Sequence, residues 1–238
     1  MEDSIETIII DNLMLDINSG KYKANEKLPS ENELVDNYGV PRIIVRKAYE
    51  RLEQMGYIYS KQGKGRYIKG RRQQIELFLS GKESFSKKML DKGYNFKSKN
   101  IYCRRIDYNQ KIYNELCVSE SDEVYEIGRL RIIDDKPMAL HVSYIAKSLF
   151  NDIGESGKHI ESMFEYYRSK GYSNFNADKS IISISFPTIV EREILECSNL
   201  VPLLILECNS IDENKGKILQ HTKIFYRTDC FKYIVSYA

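Results

Sequence analysis

Two arginines near the start of the chain, Arg42 and Arg46, have the residue type and the spacing to read nucleic-acid bases. Side chains four residues apart lie on the same face of an α-helix, so the two guanidinium groups would project together. Such a group can donate two parallel hydrogen bonds to guanine O6 and N7, which contribute about 1–3 kcal/mol of discrimination against a wrong base. Ordinary exposed helix charge is the alternative for this pair.

The basic charge of the chain is concentrated around these two arginines. The 238 residues carry a net charge of only +2. Residues 40–72 nevertheless contain ten lysines and arginines against two glutamates, whereas residues 1–39 are acidic and residues 73–238 are balanced. A polyanion would therefore be attracted to residues 40–72 rather than to the chain as a whole.

A second pair of arginines, Arg129 and Arg131, suggests a different chemistry. The two residues are two positions apart in an apolar run that predicts a β-strand, so their side chains point to the same face of a sheet. Two guanidinium groups on one face can bind a shared anion through charge-assisted hydrogen bonds. A solvent-facing or salt-bridged strand edge is the alternative.

The first 56 residues show the apolar periodicity of three short helices. Residues 5–17 follow helical spacing, and Ser30 with Glu33 three residues later predicts a capping box at the start of a second helix. A third helix is predicted from about Pro41 to Met55 and is ended by Gly56. This third helix would carry both Arg42 and Arg46.

Two strand-like runs, residues 57–59 and 66–68, follow the third helix. Gly63 and Gly65 permit a sharp turn between them, and Lys64 lies at its tip. The resulting order of helix, helix, turn, helix and two-stranded wing is that of a winged helix-turn-helix. In such folds the third helix lies in the major groove of DNA.

The motifs of this segment resemble the N-terminal domain of GntR-family repressors. The matching segments are Leu28–Leu34, Tyr38–Arg42, Val45–Ala48, Gly56–Ile58 and Gln62–Gly65. The resemblance covers nearly all of residues 5–69 and implies DNA contacts. The residues at the contacting positions are Ser30, Asn32, Pro41, Arg42, Ile44, Arg46, Gln62, Gly63 and Lys64.

Two of these positions depart from the usual family pattern. Pro41 stands where serine or threonine commonly caps the recognition helix, and Ile44 stands where threonine is common. Proline suits a first helical turn, so the fold is expected to be kept. Because neither side chain donates a hydrogen bond, we expect a different operator, with Ile44 suited to contact a thymine methyl group.

The chain beyond residue 70 predicts a second domain. We predict a DNA-binding domain over residues 1–70, a polar and basic linker over 71–83 and an effector-binding domain over 84–238. Strands are predicted near 99–106, 123–133, 137–146, 178–186, 202–211, 217–227 and 231–236, and helices near 84–92, 109–117, 159–169 and 188–197. Strands without regularly alternating helices favour the α+β class with a mainly antiparallel sheet.

Short motifs of the second domain resemble the UTRA ligand-binding domain of the HutC subfamily of GntR regulators, which is similar in fold to chorismate lyase. They lie around Ser84–Ser86, Arg129–Arg131, Pro137–Ile145, Ser162–Phe164 and Tyr226–Asp229. The resemblance implies a pocket for a small effector, often a phosphorylated sugar. Its acidic group would be surrounded by Ser84, Phe85, Ser86, Arg129, Arg131 and Ser162, and the rest of the pocket lined by His141, Phe164, Gln220 and Tyr226.

Two residues of this pocket leave the class of anion open. Several sugar-recognising relatives carry glutamate at the positions of His141 and Gln220, and often tyrosine at the position of Phe164. A phosphorylated sugar is therefore the leading candidate, and a different anion is the alternative.

Other classes of protein find little support in the sequence. It contains no Gly-x-Ser-x-Gly motif, no P-loop and no His-Glu-x-x-His motif, and its three histidines have no metal-ligand spacing, so we expect no cofactor and no metal. The five cysteines are far apart and are expected to be core residues, with one redox-sensing thiol as the alternative. The longest apolar runs are too short for a membrane span, and the N-terminus lacks a signal-peptide pattern, which predicts a cytoplasmic protein.

These observations together predict a ligand-responsive, DNA-binding transcription regulator, and the family resemblance favours a repressor. Its partners would be a pseudo-palindromic double-stranded DNA operator, a small anionic effector and a second copy of the chain in a homodimer, with no membrane. Two alternatives stay open at this point. One is a lyase-like enzyme that acts on a small acid through the C-terminal domain, and the other is an architectural DNA binder without sequence preference.

Overall fold

The computed structural model describes residues 4–69, 74–78, 85–177 and 179–234. Its helices are α1 (Ile5–Asn18), α2 (Glu31–Tyr38), α3 (Arg42–Gln54), α4 (Phe85–Asp91), α5 (Gln110–Leu116), α6 (Ile153–Ser156), α7 (Met163–Ser169) and α8 (Ile189–Leu195). Its strands are β1 (Ile58–Lys61), β2 (Gly65–Ile68), β3 (Ile75–Phe78), β4 (Phe96–Arg105), β5 (Val124–Ile133), β6 (Lys136–Ala146), β7 (Phe175–Asn176), β8 (Ser180–Ser185), β9 (Leu203–Asp212), β10 (Ile218–Arg227) and β11 (Phe231–Ile234). None of the described helices has the length and the apolar run that crossing a membrane requires.

Helix α2 begins and ends where its capping residues predict. The Ser30 hydroxyl accepts a hydrogen bond from the Glu33 amide, and the Glu33 carboxylate accepts one from the Ser30 amide at 2.5 Å, so the capping box of α2 is confirmed. α2 ends at Gly39, which adopts a left-handed backbone conformation with φ of +63°. The turn that follows directs the chain into α3.

The three N-terminal helices pack around one small core. The face of α3 that points inward carries Val45, Ala48, Tyr49 and Leu52, all of which are buried. Met55, the C-cap residue of the helix, is only half-buried. The antiparallel hairpin of β1 and β2 closes this core with Ile58 opposite Ile68, which confirms the winged helix-turn-helix.

The C-terminal part of the chain forms a seven-stranded sheet. Its strand order is β4-β5-β6-β10-β9-β7, and β8 pairs with β9 beside β7. Every pair in this sheet is antiparallel, which confirms the α+β class with a mainly antiparallel sheet. Helix α8 packs on one face of the sheet, and the other face carries the apolar cluster around Met89, Met138 and Tyr226.

The segment that the sequence predicts as a linker contains a strand. β3 pairs in parallel with β11, with Ile75 opposite Phe231, and buries Ile75 and Leu77. Sequence patterns missed this strand because it is four residues long and its partner lies at the other end of the chain. The elements α6 and β7 were also missed because they are only four and two residues long.

Gly128, in the middle of β5, leads to a stability prediction. It is paired with Tyr102 on β4, and a Cβ atom added at Gly128 would overlap the ring of Tyr102. We expect Gly128→Ala to lower the free energy of unfolding by about 1–3 kcal/mol, because the ring must leave its position. Urea unfolding of the full chain measures this. In a Tyr102→Ala background the same substitution should cost much less, and an equal cost would show that the ring is not responsible.

Candidate functional site

The exposed face of α3 is the first candidate site. Arg42, Ile43, Arg46, Lys47 and Glu50 lie on the side of the helix opposite its buried residues. The side chain of Arg42 is 69% exposed, so its guanidinium is accessible to a partner. This face combines three cations with one apolar and one acidic side chain, and arginine and lysine are residues that contact phosphates and base edges.

Each arginine of this face donates a hydrogen bond from its Nε atom to a different carboxylate. Nε of Arg42 donates to Glu31 at 2.6 Å, and Nε of Arg46 donates to Glu50 at 3.0 Å. No hydrogen bond from the terminal nitrogens of either arginine occurs within the described ranges. These nitrogens therefore remain for an acceptor outside the protein.

The other residues predicted to contact DNA are exposed, with one exception. Ser30, Asn32, Pro41, Gln62, Gly63 and Lys64 are all exposed, the last three at the turn of the wing. Ile44 is half-buried and packs against the N-terminal core, whereas its neighbour Ile43 is 55% exposed. The helical spacing contained this information, since Ile44 is four residues before the buried Ala48 and Ile43 four before the exposed Lys47.

A cavity of about 290 Å³ on one face of the large sheet is the second candidate site. It brings together every predicted effector-binding residue that the structure describes, namely Phe85, Ser86, Arg129, Arg131, His141, Ser162, Phe164, Gln220 and Tyr226. Ser84, the remaining one, lies outside the described residues. The cavity is also lined by residues that sequence reasoning missed, among them Leu77, Cys208, Ser210, Thr222 and Tyr233.

Strand register explains why distant residues meet in this cavity. Arg129 on β5 lies opposite His141 on β6, and His141 lies opposite Ile224 on β10. Alternation along β5 and β10 then places Arg131 beside Arg129 and Thr222 beside Gln220 on the same face. Thr222 could therefore have been predicted from the sequence, because it is two residues from Gln220.

The two arginines of the cavity are buried cations. Arg129 and Arg131 are each 3% exposed. Arg129 donates to the Ser143 hydroxyl at 2.6 Å, and Arg131 donates to the Ser98 hydroxyl and to the backbone oxygen of Glu161. The Nε atoms of both lack a partner, and no carboxylate of the described residues forms an ion pair with either.

This burial changes the electrostatics of the cavity. Desolvation lowers the pKa of Arg129 to about 10, and desolvation together with the charge of Arg129 lowers the pKa of Arg131 well below its ordinary value. Burial, Arg131 and Arg129 also lower the pKa of His141, so its imidazole is neutral at physiological pH. A bound anion would reverse these effects on both arginines, since an opposite charge favours the cationic form.

Three further buried polar atoms of cavity-lining residues have no hydrogen-bond partner among the described residues. They are Nε2 of His141, Oε1 of Gln220 and Oγ1 of Thr222. Gln220 donates from its nitrogen to the Ser210 hydroxyl at 2.9 Å, whereas its oxygen has no partner among the described residues. A buried polar atom without a hydrogen bond costs about 1–3 kcal/mol, and a ligand with matching groups would remove that cost.

Metal and thiol chemistry have less structural support. Across the described ranges, no group of three histidine, cysteine, aspartate or glutamate side chains could hold a metal ion. The five cysteines are free thiols. Burial raises the pKa of Cys103 and of Cys197, which favours the unreactive protonated thiol at these two positions.

Comparison with known families decides between a regulator and an enzyme. The UTRA domain family matches residues 91–232, and the bacterial regulatory proteins of the gntR family match residues 7–68. The chain belongs to the UTRA-domain regulators of the gntR family. The prediction of a DNA-binding transcription regulator is thus confirmed. The alternative of a lyase-like enzyme is not supported by these families.

Similar proteins agree with this assignment over nearly the whole regulator. It is 26% identical over 227 residues to the transcriptional repressor NagR of Bacillus subtilis, covering 95% of this chain and 91% of NagR. It is 29% identical over 223 residues to the transcriptional regulator TreR of the same organism, covering 92% and 90%. The crystal structure of PhnF from Mycobacterium smegmatis superposes with a TM-score of 0.62 at 19% identity, covering 97% of this chain and 99% of PhnF, which shows the same fold.

Proposed function

We propose that the UTRA regulator is a repressor that leaves its operator when a small anionic metabolite binds between Arg129 and Arg131. The observation that carries this proposal is the burial of both guanidinium groups beside a cavity, without an ion-paired carboxylate among the described residues. A buried cation without a counter-charge is costly, and a bound anion would offset that cost. Ser86 and Ser162 line the same cavity and would supply hydroxyl donors.

A phosphorylated sugar is the metabolite class that we favour. The free acceptor of Gln220 and the hydroxyl of Thr222 suit a ligand with hydroxyl groups. Two relatives are named for sugar derivatives: the probable fructoselysine utilization operon repressor and the mannosyl-D-glycerate repressor MngR, both of Escherichia coli, are 27% and 26% identical to this chain. Phe85, His141, Phe164 and Tyr226 would enclose the sugar, and Ser84 would assist the anion.

A thermal-shift screen of the full chain tests the ligand class. Hexose 6-phosphates should raise the melting temperature, and the parent hexoses should not, because ligand binding to the native state stabilises it. Stabilisation by sugar acids but not by hexose 6-phosphates would support the anion site, but would show that its ligand carries a carboxylate and not a phosphate. The absence of a shift with every anion at constant ionic strength would contradict the proposal.

The DNA-binding half of the proposal assigns roles to the residues around α3. Arg42 and Arg46 would read base edges in the major groove, while Ser30, Asn32 and Pro41 would lie along the adjoining backbone. Gln62, Gly63 and Lys64 would place the wing against the neighbouring groove. Ile44 would contribute mainly by packing, since it is half-buried. In this scheme residues 1–70 form the DNA-binding unit, 71–83 join it to the effector unit of 84–238, and β3 extends the effector unit into the joining segment.

We further propose that two copies of the regulator associate through the edge of the large sheet. All six residues of β8 are exposed, β8 pairs with β9 on one side, and Ile184 is 70% exposed. Phe186, Ile189 and Val190 continue this apolar surface onto α8. An unpaired apolar strand edge favours association with another chain, and a second copy related by a two-fold axis would cover it. A two-fold dimer fits a pseudo-palindromic operator.

A charged substitution at this edge should dissociate the proposed dimer. We expect Ile184→Lys to produce a monomer that binds operator at least tenfold more weakly, because a charge replaces buried apolar surface and the two half-sites are no longer read together. Sedimentation velocity and operator titration measure the two effects. Leu15→Lys, on an exposed residue of α1, is the matched control and should remain dimeric. A dimeric Ile184→Lys protein would place the interface elsewhere.

A further inference from the structure

The carboxylate of Glu31 connects three elements of the DNA-binding domain. Glu31 is the first residue of α2, and its two oxygens accept hydrogen bonds from Nε of Arg42 on α3 and from a terminal nitrogen of Arg66 on β2, each at 2.6 Å. Its side chain is only 14% exposed. The recognition helix and the wing are therefore linked through one partly buried carboxylate.

Arg66 fixes the position of this carboxylate. Its guanidinium lies 4.7 Å from the ring centre of Tyr49, and the Tyr49 hydroxyl donates to the backbone oxygen of Pro29 at 2.5 Å. Arg66 is largely buried by these contacts and thus points into the domain. Although burial opposes ionisation, the hydrogen bonds from Arg42 and Arg66 hold the pKa of Glu31 below its ordinary value, so the carboxylate is charged at physiological pH.

The contact to Arg42 leaves free the part of the side chain that reads a base. Because Glu31 engages Nε, the two terminal nitrogens of Arg42 are not used, and these can donate in parallel to a guanine. An arginine whose guanidinium plane is already fixed loses less conformational entropy when it binds. Arg46 differs, since its partner Glu50 is 50% exposed on the same helix and is free to move.

We infer that Glu31 is a positioning residue, which fixes Arg42 for base reading and thereby sets the sequence specificity of the regulator. The inference rests on the proposed base contact of Arg42. Glu31 itself contacts no base in this scheme. Its negative charge repels phosphates, so its removal should not weaken binding to DNA of random sequence.

The test compares Glu31→Gln, Glu50→Gln, Arg42→Ala and the double variant Glu31→Gln/Arg42→Ala in the full chain. Dissociation constants are measured at one salt concentration on an operator selected from a random library by the wild-type protein, on that operator with single base-pair changes, and on random DNA. We expect Glu31→Gln to lose about tenfold in operator affinity, with discrimination lost at the same base pair as in Arg42→Ala and random-DNA affinity unchanged or higher. Glu50→Gln should lose less than about threefold, and Glu31→Gln should add nothing in the Arg42→Ala background.

The outcomes separate the inference from the proposal on which it rests. If Arg42→Ala keeps full discrimination, base reading by Arg42 is wrong and the inference falls with it. If Arg42→Ala loses discrimination but Glu31→Gln keeps it, or if the two losses add, the inference alone is overturned. Equal losses by Glu31→Gln on operator and random DNA, together with a lower urea midpoint, would assign Glu31 a structural role and overturn it as well.

Discussion

Arg131→Met will abolish the response of the regulator to anions and at the same time stabilise the ligand-free protein. The guanidinium of Arg131 is buried next to that of Arg129, and the described residues provide it with hydroxyl and carbonyl acceptors but no ion-paired carboxylate. Replacing an uncompensated buried charge by an apolar side chain of similar length should raise the free energy of unfolding by about 1–3 kcal/mol. The cation proposed to bind the anion would thus also be a source of instability.

Two measurements check this expectation. Urea unfolding without ligand gives the change in stability, and melting curves in sodium phosphate against sodium chloride of equal ionic strength give the response to an anion. Wild-type protein should melt higher in phosphate, and Arg131→Met should keep only the small rise that exclusion of phosphate from the protein surface produces. Arg168→Met, on an exposed residue of α7, is the matched control and should behave as wild type. A less stable ligand-free Arg131→Met protein would mean that Arg131 chiefly serves to hold Ser98 and Glu161 in place.

Arg42→Ala will remove discrimination at one base pair of each half-site. Loss of a bidentate contact to guanine should reduce the preference for the correct base by roughly fivefold to 150-fold, equivalent to about 1–3 kcal/mol. Binding to random DNA should change little by comparison. Titration of the selected operator and of its single base-pair variants measures the effect.

Lys47 provides the matched control for this prediction because it is exposed on the same face of α3. Lys47→Ala should weaken binding to operator and random DNA alike and reduce the salt dependence of binding by about one unit of slope, as loss of a phosphate contact does. If Arg42→Ala behaves like Lys47→Ala, then Arg42 contacts the DNA backbone and the operator is read by other residues.

Local sequence signals predicted much of the N-terminal fold. The capping box of Ser30 and Glu33 marks the start of α2 because it depends on residues three positions apart. The prediction at Ile44 rests on family position, whereas helical spacing places its neighbour Ile43 on the exposed face. Local patterns are reliable when the contacts that decide the structure are also local.

The cavity on the face of the large sheet was predictable only in part. Alternation along a strand placed Arg129 and Arg131 on one face, and the structure agrees. Leu77 and Tyr233 were missed because they reach the cavity on β3 and β11, whose pairing joins opposite ends of the chain. Whether a carboxylate would neutralise the arginines depends on packing between distant strands, which no pattern in the sequence reveals.

The proposed release of operator by an anion is tested most directly by fluorescence anisotropy of a labelled operator. The measurement compares wild-type protein with Arg129→Met. The titrants are hexose 6-phosphates and sugar acids, with the parent hexoses as controls, all at constant ionic strength. We expect at least one anionic sugar to release DNA from the wild-type protein, its parent hexose to leave the complex intact, and Arg129→Met to stay bound. Release of Arg129→Met at the same concentration, or release of neither protein by any anion, would contradict the proposal.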